Sequence, residues 1–495
     1  MKLLNTLTLG LLTLSLGLGT TSCDDNRLSP APKASLASEE AFDTPSRVAL
    51  QVNNMYDYVK AGAFLGGRYQ VFSDIRANDF INRTSNLVTG AAVWQHTLTE
   101  ASQNDVINTW AAGYAAINQI NVFLAGVEAN TAKFTAAPFP ANYPATVTNY
   151  VAEARFLRAL CYHSLLQLYA RPYTDGNGSK PGLPLRLKAE LDLGNNDLAR
   201  STVGQVYDQI LADLNFAEQN LPLAGIGSNV SRAHRNTAIA LKTRVYLTMG
   251  RYNDVITEAN KIVSATAPFR ATTGVQHALQ SSITAVFTSN QNTTESILSF
   301  PFTVQDQPGT QNQLAYYFTP AAQGGNGEYN LNTSGALADP RFLATDERRT
   351  SLVTTVSNVP YLRKYQLGAT APAPYTDNAP VMRYSEVLLS LAEARFRTAG
   401  PADPQALALL NAVRTRSAPT GAYPAFATEA AAVDAVLFER RIEFLGEGLR
   451  NMDIMRLNVP IPAKSSIAAV NPSDVLYIWP IPNTELATNN LMTRN

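Results

Sequence analysis

The sequence lacks a surplus of charge of either sign and contains little cysteine. Its 495 residues include 39 lysines and arginines and 39 acidic residues, and only 16% of all residues are charged. Nucleic-acid binding would need a basic excess or a basic stripe, so this class of partner is not expected. Because the only cysteines are Cys23 and Cys161, a framework of disulfides is excluded, and a chain of this length must rely on a large hydrophobic core.

Motifs for catalysis and for metal binding are also absent. The four histidines, His96, His163, His234 and His277, are isolated from one another, and none has the spacing of a metal-ligand pair. The sequence contains no Gly-x-Ser-x-Gly nucleophile elbow and no glycine-rich phosphate loop. We therefore predict no metal site, no cofactor and no catalytic residue.

Long hydrophobic runs are confined to the N terminus. Residues 3–18 form a leucine-rich leader behind Lys2, with the length of a signal-peptide core and too short for a comfortable membrane span. Small residues precede Cys23, although Thr20 stands where bacterial lipoprotein signals usually carry leucine. We predict a lipoprotein signal peptide over residues 1–22 and a lipid on the Cys23 thiol, with an ordinary signal peptide as the alternative. The mature chain would then lie outside the cytoplasm, tied to a membrane surface.

The rest of the chain divides into a tether and two larger regions. Residues 23–40 are polar and contain prolines, which suits a flexible tether. Residues 41–265 read as an N-terminal helical region and residues 266–495 as a C-terminal region. Within residues 266–380 glycine, proline, asparagine, glutamine and threonine become frequent and helical periodicity fades. A loop-rich segment of this length is usually functional or disordered.

Apolar residues spaced three and four positions apart predict amphipathic helices in both regions. The predicted helices cover residues 110–127, 147–169, 203–221, 236–249, 252–264, 381–399, 403–417 and 429–445. Gly250 and Gly400 each separate two of them, and a small-residue turn between paired helices is typical of tetratricopeptide units. We predict a mainly α fold, a tetratricopeptide-like helical scaffold (an αα superhelix) with an irregular, loop-rich second subdomain. Two unrelated helical hairpins are the alternative.

The densest run of charge, residues 438–456, is called the charged cluster below. Glu439 and Glu443 lie four positions apart, so they project from the same face of a predicted helix. A glycosidase needs two carboxyl groups on either side of the scissile bond. Because arginines alternate with carboxylates here, we predict ion pairs between helices, with bidentate geometry, rather than catalysis.

Aromatic residues in the loop-rich segment are candidates for ligand binding. Sugar C–H faces stack on exposed rings, and amide side chains hydrogen-bond hydroxyl groups. Three tyrosines lie among such residues, and a polar loop patch earlier in the chain is a second candidate. The predicted ligand-binding residues are Tyr316, Tyr317 and Tyr329 in the first group and Arg76, Asn78 and Trp94 in the second. The alternative is that the segment folds back and buries its own rings.

Several of these segments, in this order along the chain, resemble the SusD/RagB family, the cell-surface lipoproteins with which Gram-negative bacteria capture nutrients. The resemblance covers nearly the whole mature chain, and its most specific part is the charged cluster. The positions that carry it are residues 152–159, 207–210, 383–389, 392–394 and 479–482, and in the charged cluster Glu439, Arg440, Glu443, Glu447, Gly448, Arg450, Asp453 and Arg456.

The resemblance implies a tetratricopeptide-like scaffold, no catalysis, and ligand contacts from variable loops. It also implies binding of oligosaccharides or peptides and a SusC-like TonB-dependent transporter as partner, with Cys23 holding the protein on the outer membrane. Asp24 and Asp25 resemble the acidic surface-export signal of such lipoproteins. Two other functions stay open at this point, a surface glycan-degrading enzyme and an interaction scaffold without a ligand of its own.

Overall fold

The computed structural model describes residues 40–192, 194, 196–288, 291–369 and 374–495. The predicted signal peptide, Cys23 and the tether up to residue 39 lie outside the described residues. Within the described ranges, no helix combines the length and the hydrophobicity that a membrane span requires.

The described residues are mainly helical. In chain order the α-helices are α1 (Pro45–Val59), α2 (Arg68–Ile75), α3 (Ala91–Gln95), α4 (Asn108–Ala129), α5 (Tyr143–Tyr169), α6 (Val203–Asn220), α7 (Arg235–Thr248), α8 (Tyr252–Ala259), α9 (Leu314–Phe318), α10 (Glu347–Thr350), α11 (Tyr384–Ala399), α12 (Pro404–Ser417), α13 (Glu429–Glu443), α14 (Arg450–Arg456) and α15 (Asn483–Thr488). The sequence explains several of their starts. A capping box between Thr202 and Gln205 begins α6, and the Asp403 carboxylate caps α12 ahead of Pro404.

The long helices α4, α5 and α6 pack side by side. Gly113 on α4 faces Leu165 on α5, and a Cβ at Gly113 would lie only 2.9 Å from a Leu165 methyl carbon. The missing side chain therefore lets the two helices approach closely. The helices predicted over residues 110–127 and 147–169 are confirmed, and the structure extends each of them by a few residues.

The two predicted helical pairs are confirmed and pack against each other. Gly250 separates α7 from α8 with φ of 71°, and Gly400 follows α11, ahead of α12, with φ of 90°. Helix α8 lies against α11, and Leu247, Val255 and Ala394 form a small apolar cluster between the pairs. The chirality of L-residues disfavours positive φ, so glycine is the favoured residue at both turns.

The strands form three antiparallel two-stranded sheets among the described residues, in which β1 pairs with β3, β2 with β6, and β4 with β5. They are β1 (Phe80–Asn82), β2 (Ser296–Phe300), β3 (Tyr329–Leu331), β4 (Val353–Val356), β5 (Val359–Leu362) and β6 (Ala379–Arg383). The loop-rich segment thus contains short regular elements, β2 to β5 with α9 and α10. The helix predicted from residue 381 begins later, at Tyr384, because the residues before it hydrogen-bond to β2.

Residues from both predicted regions share one hydrophobic core. Trp479, near the C-terminal end, is buried against Phe72 of α2 and Tyr169 of α5, with ring centroids 5.9 and 5.5 Å away. Cys161 is fully buried on α5, and burial raises the pKa of its thiol. The interior is thus continuous from the first helices to the end of the chain.

Candidate ligand-binding surface

The charged cluster forms buried ion pairs, as predicted. Glu443 accepts hydrogen bonds from Arg383 at 2.8 Å and from Arg416 at 2.6 Å, and all three side chains are buried. Glu439 accepts from Arg348 at 2.5 Å. Burial alone would raise the pKa of Glu443, but the neighbouring guanidinium groups hold it well below its ordinary value. Both carboxylates are thus bound to arginine and face no cleft shared between them.

The same network fixes the loop-rich segment to α13. Lys364, two residues after β5, is buried and donates to Glu447 Oε1 and to the last main-chain carbonyl of α13, both at 2.6 Å. The next residue, Tyr365, donates its hydroxyl to the Gly446 carbonyl at 2.8 Å. These bonds hold the end of β5 in place, and with it the ring of Tyr361.

Three half-buried tyrosines and three amide side chains lie together on the outside of this segment, and we call them the tyrosine–amide surface. Its residues are Gln311, Tyr316, Gln323, Asn326, Tyr361 and Tyr375. None of the three rings is fully enclosed, and Gln323 and Asn326 are exposed. Rings with an accessible side next to amide donors and acceptors are suited to a ligand that has both C–H faces and hydroxyl groups.

Hydrogen bonds hold the first part of the tyrosine–amide surface together around Tyr316, in the middle of the short helix α9. The Gln311 amide donates to the Tyr316 hydroxyl at 3.3 Å. The main-chain N–H of Asn326 donates to the Tyr316 carbonyl at 2.9 Å. The Asn326 amide donates to Glu328, a buried carboxylate. Tyr316 is therefore held at two points, its side-chain hydroxyl and its main-chain carbonyl.

The other two tyrosines of the surface, Tyr361 and Tyr375, contact the turn formed by residues 324–327, which also contains Asn326. The Tyr375 hydroxyl donates to the Gly324 carbonyl at 3.3 Å. Gly327 has φ of 62°, and a Cβ there would lie 3.1 Å from the ring of Tyr361. Glycine thus permits both the conformation of the turn and its close approach to the ring.

The structure separates the three tyrosines that the sequence grouped as ligand contacts. Tyr316 lies on the tyrosine–amide surface, but Tyr317 and Tyr329 are fully buried with their rings stacked 6.4 Å apart. The Tyr317 hydroxyl donates to the Gln311 carbonyl at 2.8 Å, and the Tyr329 hydroxyl donates to the Thr89 carbonyl at 2.9 Å. Neither ring offers a face to a ligand, so for these two residues the alternative, that the segment buries its own rings, is correct.

The second predicted patch is not an exposed patch. Arg76 and Trp94 are buried, and the Trp94 indole donates to the Phe80 carbonyl at 2.9 Å. Asn78 is half-buried, and its side-chain oxygen accepts from Arg441 at 3.0 Å. Tertiary contacts, which sequence polarity does not reveal, enclose Arg76 and Trp94, so neither side chain lies on an exposed loop surface.

The sequence reasoning missed Tyr361 and Tyr375 as members of the surface. The signal that selected Tyr316, an aromatic residue in a region poor in helical periodicity, applies to both of them as well.

Within the described ranges, no group of three or more His, Cys, Asp or Glu residues could hold a metal ion.

Two family models match the chain, and together they span residues 29–495. The first, described as "Starch-binding associating with outer membrane", matches residues 29–247, and the second, described as "SusD family", matches residues 243–495. The chain belongs to the SusD family. Members of this family have helical, tetratricopeptide-like folds, in agreement with the helical pairs described above.

Individual relatives match this SusD-family chain over nearly its full length. SusD-like protein P38 of Formosa agariphila is 22% identical, with 97% of each chain covered. The crystal structure of a SusD superfamily protein from Bacteroides fragilis is 31% identical and superimposes with a TM-score of 0.78, covering 91% of this chain and 99% of the other. A structure described as a putative sugar binding protein, from Bacteroides vulgatus, is 20% identical with a TM-score of 0.75, covering 92% and 99%.

Proposed function

We propose that this SusD-family protein binds nutrient oligosaccharides, or peptides, at the cell surface and delivers them to a SusC-like TonB-dependent transporter in the outer membrane. The observation that carries the binding proposal is the tyrosine–amide surface. Its rings can stack on the C–H faces of sugars, and its amides can donate to and accept from hydroxyl groups. The relative described as a sugar binding protein supports sugars as the first class to test.

A binding role without catalysis is supported by the state of the carboxylates in the charged cluster. Glu439 and Glu443 each contact at least one arginine and are fully buried. Glycoside hydrolysis needs one carboxyl group that donates a proton and a second on the other side of the glycosidic bond. These two carboxylates have no access to a substrate, which speaks against the glycan-degrading alternative.

Location and partner complete the proposal. Cys23, outside the described residues, would carry a lipid that holds the protein on the outer membrane, and the family description associates such chains with that membrane. The tether that follows would let the body of the protein swing on and off the transporter while staying attached. Delivery requires such movement, because the ligand must leave the tyrosine–amide surface to enter the transporter.

Calorimetric titration of the purified mature protein tests the binding proposal. The first probe is maltoheptaose, because a matching family model is described as starch-binding. A panel of other oligosaccharides and of peptides follows. In the variant Tyr316→Ala/Tyr361→Ala/Tyr375→Ala we expect at least a tenfold loss of affinity for the ligand found. Each ring contributes on the order of 0.5–1.5 kcal/mol, and about 1.4 kcal/mol corresponds to tenfold.

The matched control is Tyr58→Ala, which removes an exposed tyrosine on α1 outside the surface. Unchanged affinity in the triple variant would show that the ligand binds elsewhere. Complex formation with the transporter but no binding to any glycan or peptide would instead favour an interaction scaffold, and release of sugar fragments would favour an enzyme.

A further inference from the structure

A cavity lies between the segment after α3 and the C-terminal segment, and no residue of the tyrosine–amide surface lines it. It has a volume of about 280 Å³. Its walls include Arg76, His96, Leu98, Leu476, Ile478 and Pro480. Apolar side chains therefore form much of the wall, and Arg76, His96, Glu100, Arg494 and Asn495 supply its polar groups.

Among the residues that the structure describes, Arg76 is hydrogen-bonded to neutral groups and not to a carboxylate. Its side chain is 2% exposed, and it donates to Asn451 Oδ1 at 2.7 Å and to the carbonyls of Leu476 and Tyr477 at 3.3 and 2.9 Å. All of these acceptors are neutral, and no salt bridge joins Arg76 to a carboxylate among the residues that the structure describes. Burial lowers the pKa of Arg76 to about 10, which keeps it charged at neutral pH. A buried cation without a paired anion is energetically unfavourable.

A second buried basic side chain, that of Lys464, lies directly behind Arg76. Lys464 is 2% exposed and donates to the carbonyls of Ile75 and Arg76, both at 2.6 Å. Its ammonium lies 5.3 Å from the centre of the Trp94 ring. It too has no carboxylate partner in the described part of the chain. Burial, and then the charge of Arg76, lower the pKa of Lys464 well below its ordinary value, so the positive charge beside the cavity rests on Arg76.

His96 adds an unsatisfied polar group to the same cavity. It is 7% exposed, and its Nε2 atom has no hydrogen-bond partner. Burial, together with the charges of Lys464 and Arg76, lowers the pKa of His96 to about 3, so the ring is neutral at pH 7 and can offer a hydrogen bond but no charge. Most buried polar atoms in folded proteins have a hydrogen-bond partner, so a ligand that hydrogen-bonds to this Nε2 atom would be favoured.

We propose that this cavity binds the carboxylate group of a small organic acid, with Arg76 as the cation that pairs with it and His96 as a hydrogen-bond partner. The apolar body of the acid packs against Leu98, Ile478 and Pro480. A single pairing guanidinium and a neutral imidazole suit a monoanion, and Arg matches the planar geometry of a carboxylate. Glu100 and Arg494 both lie on the wall of the cavity and are bound to each other at 2.7 Å, so their charges offset and Arg76 is the guanidinium left to pair with the acid.

Benzoate and its neutral isostere benzamide test the proposal, because they share an apolar ring and differ in charge. Titration calorimetry of the full mature protein should show one benzoate per protein and at least tenfold weaker binding of benzamide. The NMR signal of the His96 ring, assigned with His96→Gln, should shift on addition of benzoate. Equal affinity for the two compounds, or an unchanged His96 signal, would overturn the proposal. Inorganic sulfate competing as well as benzoate would overturn the assignment to organic acids.

Two variants test whether benzoate binds in the cavity or elsewhere on the protein surface. Leu98→Trp fills the cavity while leaving Arg76 and Lys464 in place, and benzoate binding should fall at least tenfold. The control Leu491→Trp changes an exposed leucine that does not line the cavity and should bind benzoate as the parent protein does. Parent-like benzoate binding by Leu98→Trp would contradict the proposal even if a variant of Arg76 failed to fold.

The proposal is independent of the nutrient-binding function. The variant with alanine at Tyr316, Tyr361 and Tyr375 should bind benzoate with unchanged affinity, because those rings lie outside the cavity. We expect the triple alanine variant to lose glycan binding and retain benzoate binding. Leu98→Trp should lose benzoate binding and retain glycan binding, which would show that the two sites are separate. Parallel losses in both variants would refute a separate site.

Discussion

Arg456 on α14 is bound twice to Glu393 on α11. Its Nη1 lies 2.8 Å from Oε1 and its Nη2 lies 2.6 Å from Oε2, the parallel geometry in which a guanidinium binds a carboxylate most strongly. Both side chains are buried, and the Nε of Arg456 also donates to Asp453 at 2.8 Å. The end of the charged cluster is thereby tied to a helix of the tetratricopeptide-like scaffold.

Replacing Arg456 by methionine should lower the free energy of unfolding by about 3 kcal/mol, because it leaves a buried carboxylate without its main partner. This loss of stability is at the lower end of the range for breaking a buried ion pair, because Arg397 still contacts Glu393 at 2.9 Å. Urea unfolding at pH 7 measures it. The control is Arg494→Met, which breaks the pair with Glu100; Arg494 is 70% exposed, and about 1 kcal/mol or less should be lost. Equal losses in both variants would contradict a special role for the buried pair.

Acid should destabilise the protein through Asp453. Arg440 and Arg456 overcome the effect of burial and lower the pKa of this carboxyl from 3.8 to about 2. A pKa depressed in the folded state contributes stability above the unfolded pKa, and this contribution disappears as pH falls from about 4 to about 2. It amounts to about 2 kcal/mol at pH 7.

The variant Asp453→Asn removes that titrating group. It should be less stable than the parent at pH 7, and the difference between the two proteins should shrink between pH 4 and pH 2. Urea midpoints taken across this range provide the measurement. A constant difference at every pH would mean that Asp453 does not titrate differently in the folded and unfolded states.

The two glycines at the turns of the helical pairs should respond differently to substitution. Gly250 has φ of 71°, a left-handed conformation that asparagine tolerates, so Gly250→Asn should cost less than about 1 kcal/mol. Gly400 has φ of 90° and ψ of 176°, a region open essentially to glycine alone, so Gly400→Asn should cost about 1–3 kcal/mol.

Crowding does not explain the expected difference between these glycines. A Cβ at Gly400 would meet nothing within 4 Å, and one at Gly250 only a Thr174 methyl at 3.6 Å. Thermal unfolding of both variants therefore compares backbone conformation directly. A larger loss at Gly250 than at Gly400 would refute the explanation.

Replacing Cys23 by alanine should release the protein from the membrane. Fractionation of cells separates the soluble from the membrane-bound protein, and mass spectrometry of the N-terminal peptide detects the lipid. The control is Cys161→Ala, since that cysteine is fully buried on α5 and has no access to a lipid-transferring enzyme. Membrane association that persists in Cys23→Ala would contradict lipid anchoring at this residue.

Much of the scaffold could be predicted from the sequence. The helices around Gly250 and Gly400, and those at residues 110–127 and 147–169, follow from apolar spacing and turn residues, which act over a few positions. The strand β6 could not be predicted in this way, since its partner β2 lies about 80 residues earlier in the chain. Its register depends on a contact that no local pattern records.

The candidate surface was predicted only in part, for the same reason. Tyr316 and Tyr317 are adjacent in the sequence and share the same polar surroundings, yet one ring lies on the surface and the other in the core. Their order on the short helix α9 and its packing against α2 and β3 decide which ring is enclosed. Tyr361 joins Tyr316 only through the turn at residues 324–327.

By itself, the sequence determined the helical class, the paired helices and the family signature of the charged cluster, because helical periodicity and the alternation of charge are local properties of the chain. Only the tertiary structure decided which carboxylate meets which arginine and which aromatic rings remain open to a ligand. Burial is set by contacts between distant segments, as where the Tyr329 hydroxyl bonds a carbonyl 240 residues earlier. Both the tyrosine–amide surface and the cavity beside Arg76 arise from contacts of that kind.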